Sequence, residues 1–244
     1  LVAIGMWGAG ATGYLFSPLA WWERIVVIVA ASFLVVALPL TDEIGLGAVA
    51  VFEADCFWLN ETHLVGRALD NRMGGFMIAE VARQLSENKD KLPFTVYLVN
   101  SVQEEIGLRG AEMISRRLQP DVAIITDVTH DTCSPLYNKK QQGDCKCGKG
   151  AVVTYGPAVQ NNLLQSIIGV AKSNEIAIQR NAVSRSTGTD TDSFAYSGMG
   201  VASALISLPL KYMHTTVETV HMDDVNSCIQ LMYQTVKSLK AGQT

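Results

Sequence analysis

From about Val49 to Leu239 the chain alternates between two apolar spacings, one at every second residue and one at every third or fourth, and that alternation restricts it to an α/β fold. Val49–Leu59, Phe94–Val102, Val122–Asp127, Ala177–Val183 and Val201–Leu208 read as strands. Asn71–Asn88, Gly110–Leu118, Asn161–Asn174, Asp223–Leu239 and the short Thr191–Ser197 read as helices. Strands separated by helices pair in parallel and are covered on both sides, so the expected fold class is α/β, a mostly parallel sheet with helices on both faces. Neither an internal repeat nor a low-complexity tract interrupts the pattern.

Upstream the character changes. Hydrophobic residues make up 48% of the chain, and the excess is concentrated in Ile25–Leu40, which carries no charge and follows Trp21-Trp22-Glu23-Arg24. Two readings stand for it: a membrane span extended upstream to Pro18, so that residues 18–40 associate with a bilayer, or a buried apolar helix preceding the sheet. A signal peptide fits less well, because a basic leader and a small-residue cleavage pattern are both missing. The stretch Gly13–Gly47 resembles the C-terminal membrane end of a TRAP-type transporter permease.

Charge excludes one class of partner. With 19 basic and 23 acidic residues the net charge is −4, which provides no electrostatic footprint for nucleic acid. Five cysteines, odd in number and scattered through a chain too large to need staples, suit thiols in a reducing compartment and hence a cytoplasmic location for the sheet domain.

In an open α/β sheet, ligands bind beyond the carboxyl ends of the strands, so polar residues that directly follow apolar runs are the candidates for chemistry. Asp70 follows Leu64-Val65, Glu104-Glu105 follow FTVYLVNSV, Asp127 ends DVAIITD, and His214 follows ALISLPLKYM. Carboxylate oxygen and imidazole nitrogen are the ligands of zinc, cobalt or manganese. Adjacent carboxylates allow one to bind a cation while the other carries a proton. Each residue alone has an ordinary reading as a cap, turn former or solvated edge; four at one rim of one sheet favour a metal site.

The blocks GRALDNRMGG (66–75), VQEEIGLRGA (102–111) and SLPLKYMHTTVE (207–218), supported by AIITDVTHDT (123–132) and STGTDTDSFAYS (186–197), resemble the tetrahedral, or glutamyl-type, aminopeptidase family of dinuclear zinc metallopeptidases. The resemblance implies a zinc-exopeptidase-like fold, peptide substrates, a homo-oligomer and two zinc ions. It implies Asp70 as the bridging metal ligand, Glu105 and His214 as ligands at one metal, Asp127 at the other and Glu104 as general base. Thr189 and Asp190 would line the substrate pocket, with a helix N-cap as their competing reading.

The family's second metal also needs a histidine from a His-x-Asp pattern ahead of a small inserted β domain. Of the four histidines only His63 precedes Asp70, and it matches no such motif; Leu40-Thr41-Asp42-Glu43-Ile44-Gly45 resembles the pattern with leucine in the ligand's place. The expectation is three parts: an apolar, membrane-like segment over 1–47, the last of the inserted domain over 48–62, and a catalytic domain over 63–244 lacking its N-terminal portion. An aminopeptidase with an impaired second metal site is the leading reading, against a non-catalytic membrane-tethered remnant or a related amidohydrolase such as a deacylase. His130 and His221 are expected outside the metal site, and Cys145-Lys146-Cys147 in a loop rather than a zinc knuckle.

Overall fold

A computed structural model of the chain describes Trp21 and residues 55–134 and 137–241. The chain divides into two compact units, Leu1–Glu53 and Ala54–Thr244. Apart from Trp21, the apolar run Ile25–Leu40, the transporter-like stretch and the Leu40–Gly45 motif lie outside the described residues, as does most of the expected strand Val49–Leu59. Among the described residues no helix is long and apolar enough to cross a membrane.

The second unit is built on one seven-stranded sheet. In chain order its elements are β1 (Cys56–Trp58), β2 (His63–Gly66), α1 (Leu69–Glu87), α2 (Arg109–Leu118), β3 (Val122–His130), α3 (Lys139–Gln142), β4 (Ala151–Tyr155), α4 (Asn161–Ser173), β5 (Ile178–Ala182), α5 (Asp190–Ala195), β6 (Ala202–Lys211), β7 (Glu218–His221) and α6 (Met222–Ser238). The α/β reading therefore holds. The two longest ladders, β3 with β6 and β4 with β5, are parallel. Antiparallel pairing joins β4 and β7 to β6 and continues through β2 to β1, so the sheet as a whole is mixed.

Strand β6 is the hub. Along one edge it pairs with β3 throughout; its other ladders run to β4 at Ile206–Ser207 and to β7 at Leu210–Lys211. Pro209, which has no N–H to donate, lies between those two ladders, where a strand tolerates proline. Alternation along β3 sorts its side chains by face. Val122, Ile124 and Val128 join the main core with α1, α4 and α6, whereas Ala123 and Ile125 join Ala111 of α2 and Phe194 of α5. Helix α1 turns Leu69, Met73, Met77 and Val81 inward at four-residue intervals, the stripe that buries one face of a helix.

Phe94–Val102 is not a strand. Burial alternates over Phe94–Tyr97 and changes phase at the exposed Leu98, and Phe94, Val96 and Leu98 line a groove with Ala82 and Leu85 of α1. Its backbone, however, joins no ladder among the described residues. Apolar periodicity reports one-sided burial, whereas a strand also needs a hydrogen-bonding neighbour. Strands β2, β4 and β7 are additional to those expected from the sequence.

Candidate metal centre

Three of the four polar sites identified in the sequence, Asp70, Glu104-Glu105 and His214, sit on turns beyond β2, the extended 94–102 segment and β6, and several of those turns use unusual backbone. Asp127, expected at a strand end, is instead interior, because β3 runs on to His130 in register with β6. Ala68, Gln103, Leu108 and His214 all have left-handed φ, between 56° and 62°, without being glycine. Such residues cost on the order of 1–3 kcal/mol each and persist where the surroundings over-determine them, as at ligand-binding sites. Asp70 and Asn71, joined by a cis peptide bond, are non-helical although they lie within the α1 segment. Asp70 itself is extended, and its carboxylate lies beside Glu105 and His214.

Asn71 braces the middle of the neighbouring strand β3. Its Nδ2 donates to the Asp127 carboxylate at 3.0 Å and to the Thr126 carbonyl at 3.2 Å, while its Oδ1 accepts from Gly74 N at 2.7 Å. A Cβ on Gly74 would lie 2.5 Å from that same Oδ1, so the glycine makes room for the amide. In the next turn, Gly110 N donates to the Val102 carbonyl at 2.9 Å, and a Cβ on Gly110 would stand 2.4 Å from that oxygen. Glu104 and Glu105 are carried on the turn so closed.

Asp70, Glu105 and His214 converge, each offering one ligand atom within 4.8 Å of the others. His214 Nε2 lies 3.1 Å from Asp70 Oδ2 and 3.3 Å from Glu105 Oε2. Ligands held tetrahedrally at zinc distances stand about 3.4 Å apart, so the spacing fits a small divalent cation. Among the described residues this is the one such group of three, and Asp127 and Glu104 stand outside it. Asp127 is 7% exposed, and its Oδ1 also accepts from Val128 N at 2.8 Å.

Electrostatics point the same way. Burial, then the charge of Glu105, push the Asp70 carboxyl up to about 6. Burial, then Glu105 and Asp190, push Glu104 up to about 7. Asp127 also rises to about 7, through burial and the charges of Glu104, Asp70 and Asp190, against the opposing hydrogen bond from Val128. Among the neighbouring side chains that cause these shifts, His214 is the one that opposes them, at Asp70 and Glu104. A cluster with this surplus of buried negative charge is stabilised by protons or by a cation.

Thr189 caps α5, accepting from Thr191 N at 3.2 Å, and shares hydrogen bonds with the hydroxyls of Thr187 and Thr191. Asp190 accepts from the Ser101 hydroxyl through Oδ2, while its Oδ1 is buried without a partner. His130 is bound to the Tyr137 hydroxyl at 2.8 Å. His63 and His221 meet edge to face at 4.7 Å, away from the three-ligand cluster. All five cysteines are free, and among the described residues Cys145 and Cys147 join no group of three ligands.

Three contributors were not singled out in the sequence: Asn71, Ser101 and Glu218. Glu218 Oε2 accepts from Asp70 N at 3.0 Å, and its Oε1 accepts from His214 N at 2.8 Å. The one signal available was position, since Asn71 and Glu218 lie inside the two motifs that carry Asp70 and His214.

Acidic and imidazole side chains gathered at one rim of a mixed α/β sheet form a group that could hold a metal ion, an arrangement that fits the metallohydrolase class. The sequence profile of the M42 glutamyl aminopeptidases matches residues 41–231, and the chain belongs to that family. The lysyl aminopeptidase of Pyrococcus furiosus is 36% identical over 221 residues, covering 90% of this chain and 61% of that protein. A TET aminopeptidase structure from a marine-sediment Thaumarchaeota archaeon superposes with a TM-score of 0.74 at 27% identity, over 82% of this chain and 58% of that one. The TET1 peptidase of Pyrococcus horikoshii, described as able to assemble into a tetrahedron or a large octahedral shell, gives 0.66 at 29% identity, over 81% and 58%. The chain thus spans about three fifths of the length of these relatives.

Proposed function

We propose that this domain belongs to a metal-dependent aminopeptidase that releases N-terminal residues from peptides, with Asp70, Glu105 and His214 as the ligands of one divalent cation and Asp127 directed to a second. The observation that carries this reading is the convergence of three ligand atoms, from three separate turns, at the spacing of a tetrahedral cation site. Zinc suits one imidazole and two carboxylates best, and cobalt or manganese accept the same donors. Bound there, the cation supplies a Lewis acid for the scissile carbonyl and a water acidified toward neutrality.

The remaining chemistry belongs to side chains. Glu104, held near pH 7 by burial and its acidic neighbours, is suited to take a proton from the attacking water and return it to the leaving amine. Glu105, adjacent on the same turn, stays with the cation. Asp190 forms part of the substrate pocket wall, and the free amino group of the substrate would sit on a metal or against the acidic groups of the rim, which would make the enzyme an exopeptidase. Thr189 shapes that loop. Peptides are the expected substrates and a homo-oligomer the expected assembly.

Among the described residues we assign Asp70 and Asp127 to the second metal position, without the histidine that the family pattern adds, and expect weak turnover of this chain. Hydrolysis of leucyl- and glutamyl-p-nitroanilide with added zinc or cobalt tests the activity, and Glu104→Gln should abolish any signal. Metal analysis finding two tightly held zinc ions per chain with full turnover would contradict the impaired second site. Release of acyl groups from N-acyl amino acids, with the anilides untouched, would replace the aminopeptidase reading by a deacylase.

A further inference from the structure

Glu218 is a carboxylate with 2% exposure at the first position of β7, registered against Gly66 of β2. Burying such a group is costly unless its oxygens are satisfied. Both are, and by the main-chain N–H groups of Asp70 and His214, two proposed ligands separated by most of the chain. Its side chain therefore ties the β2–α1 turn to the β6–β7 turn beneath the cluster.

We infer that Glu218 is a positioning residue that sets the separation of Asp70 and His214 and so fixes cation affinity, an inference that rests on the cation site proposed above. Asp70 occupies non-helical backbone and His214 left-handed backbone, so neither turn is held by a regular ladder at its ligand. One anion accepting from both amides supplies the missing constraint through charge-assisted hydrogen bonds, which are about twice as strong as neutral ones. Without it each ligand can still reach a cation, but the 3.1 Å spacing between His214 Nε2 and Asp70 Oδ2 is no longer built in before the cation arrives. Residues that orient metal ligands in this way change affinity by roughly 10–100-fold when replaced.

Glu218→Gln keeps the shape and one acceptor but sets an NH2 group against one of the two amides. Zinc affinity, measured on the full chain by competition with a chromophoric chelator, is expected to weaken at least 10-fold. The cobalt visible spectrum is expected to change in energy or intensity. Leu231→Ala, a fully buried substitution in α6, is the control: it should lower urea stability and leave zinc affinity and the cobalt spectrum unaltered. Wild-type affinity and spectrum in Glu218→Gln, or an equal loss of affinity in Leu231→Ala, would overturn the inference. If Glu218→Gln does not fold, amide exchange in the unaltered protein reads the same bonds: the Asp70 and His214 N–H groups must both be protected, and zinc must slow them together. Free exchange at either one overturns it. Should Asp70→Asn, Glu105→Gln and His214→Ala all leave zinc binding unchanged, the cation site itself fails, which is a separate result.

Discussion

The cluster has two sides that are held in different ways. Asp70 and His214 sit on turns bordering the paired strands β2, β6 and β7, and Glu218 bonds to the backbone of both. Glu104 and Glu105 hang from Phe94–Val102, which joins no ladder among the described residues and leaves Tyr97 61% and Val102 65% exposed. Geometry on that side comes from the turn itself, through Gly110 N to the Val102 carbonyl and Leu108 N to the Glu104 carbonyl, and from two side-chain bonds to α5, Ser101 Oγ to Asp190 and Ser193 Oγ to the Leu108 carbonyl. A proposed ligand on the sheet side is pre-placed; one on the turn side can move with its turn. The difference predicts which substitutions act on chemistry, which on affinity and which on stability.

The largest effect is expected on the turn side and in rate. Glu104→Gln should lower the turnover of the metal-loaded chain by about 10²–10⁴-fold, the usual range for a lost general base, with cation affinity little changed. Steady-state rates together with zinc titration check both halves. Next comes the affinity contrast. His214→Ala and Asp70→Asn each remove a proposed ligand whose backbone N–H is bonded to Glu218 and should weaken zinc binding by roughly 100-fold or more, whereas Glu105→Gln, on the turn without that anchor, should cost closer to 10-fold. Equal losses at all three positions would erase the distinction between the two sides.

Stability gives a smaller contrast. Gly110→Ala places a methyl 2.4 Å from the Val102 carbonyl oxygen, where backbone must shift, and is expected to cost about 1–3 kcal/mol in urea unfolding. Gly74→Ala meets the Asn71 amide, a side chain that can rotate away. It should cost less in stability and show instead as altered behaviour of Asp127, which loses its amide donor.

Much of this molecule was legible from residue order. Helices α1, α2, α4 and α6 and strands β3, β5 and β6 follow from apolar spacing, because each buries one face or runs through the core. Asp70, Glu105 and His214 were legible as candidates because each comes within a few residues of the end of an apolar run. Phe94–Val102 misled for a physical reason: its alternation records the side resting on α1, and nothing in it names a backbone partner. Strands β2 and β7 are four residues each, too short to carry a period. Glu218 was hidden because a buried acid is identified by what donates to it, and its donors are main-chain amides with no sequence signature.

The smallest expected effect concerns the metal-free protein and turns on sign. Asp127 and Glu104 both have folded-state values near 7, raised above the ordinary carboxylate range chiefly by burial. Between the unfolded and folded values the native state holds more protons than the unfolded one, so stability falls as pH rises. Their contribution is fully present below about pH 4, declines through the window and is gone above about 7. In chelator-treated protein the urea midpoint should therefore drift downward from pH 5 to pH 7.5. Asp127→Asn should flatten the drift more than Glu104→Gln, because Asp127 is the more deeply buried of the two and Glu104 is half-open to solvent, which screens its charge. Zinc should flatten it as well, since a bound cation compensates the charges that protons otherwise must neutralise. A midpoint that climbs over this range, with or without zinc, would mean that the acidic rim is relieved by some other positive group.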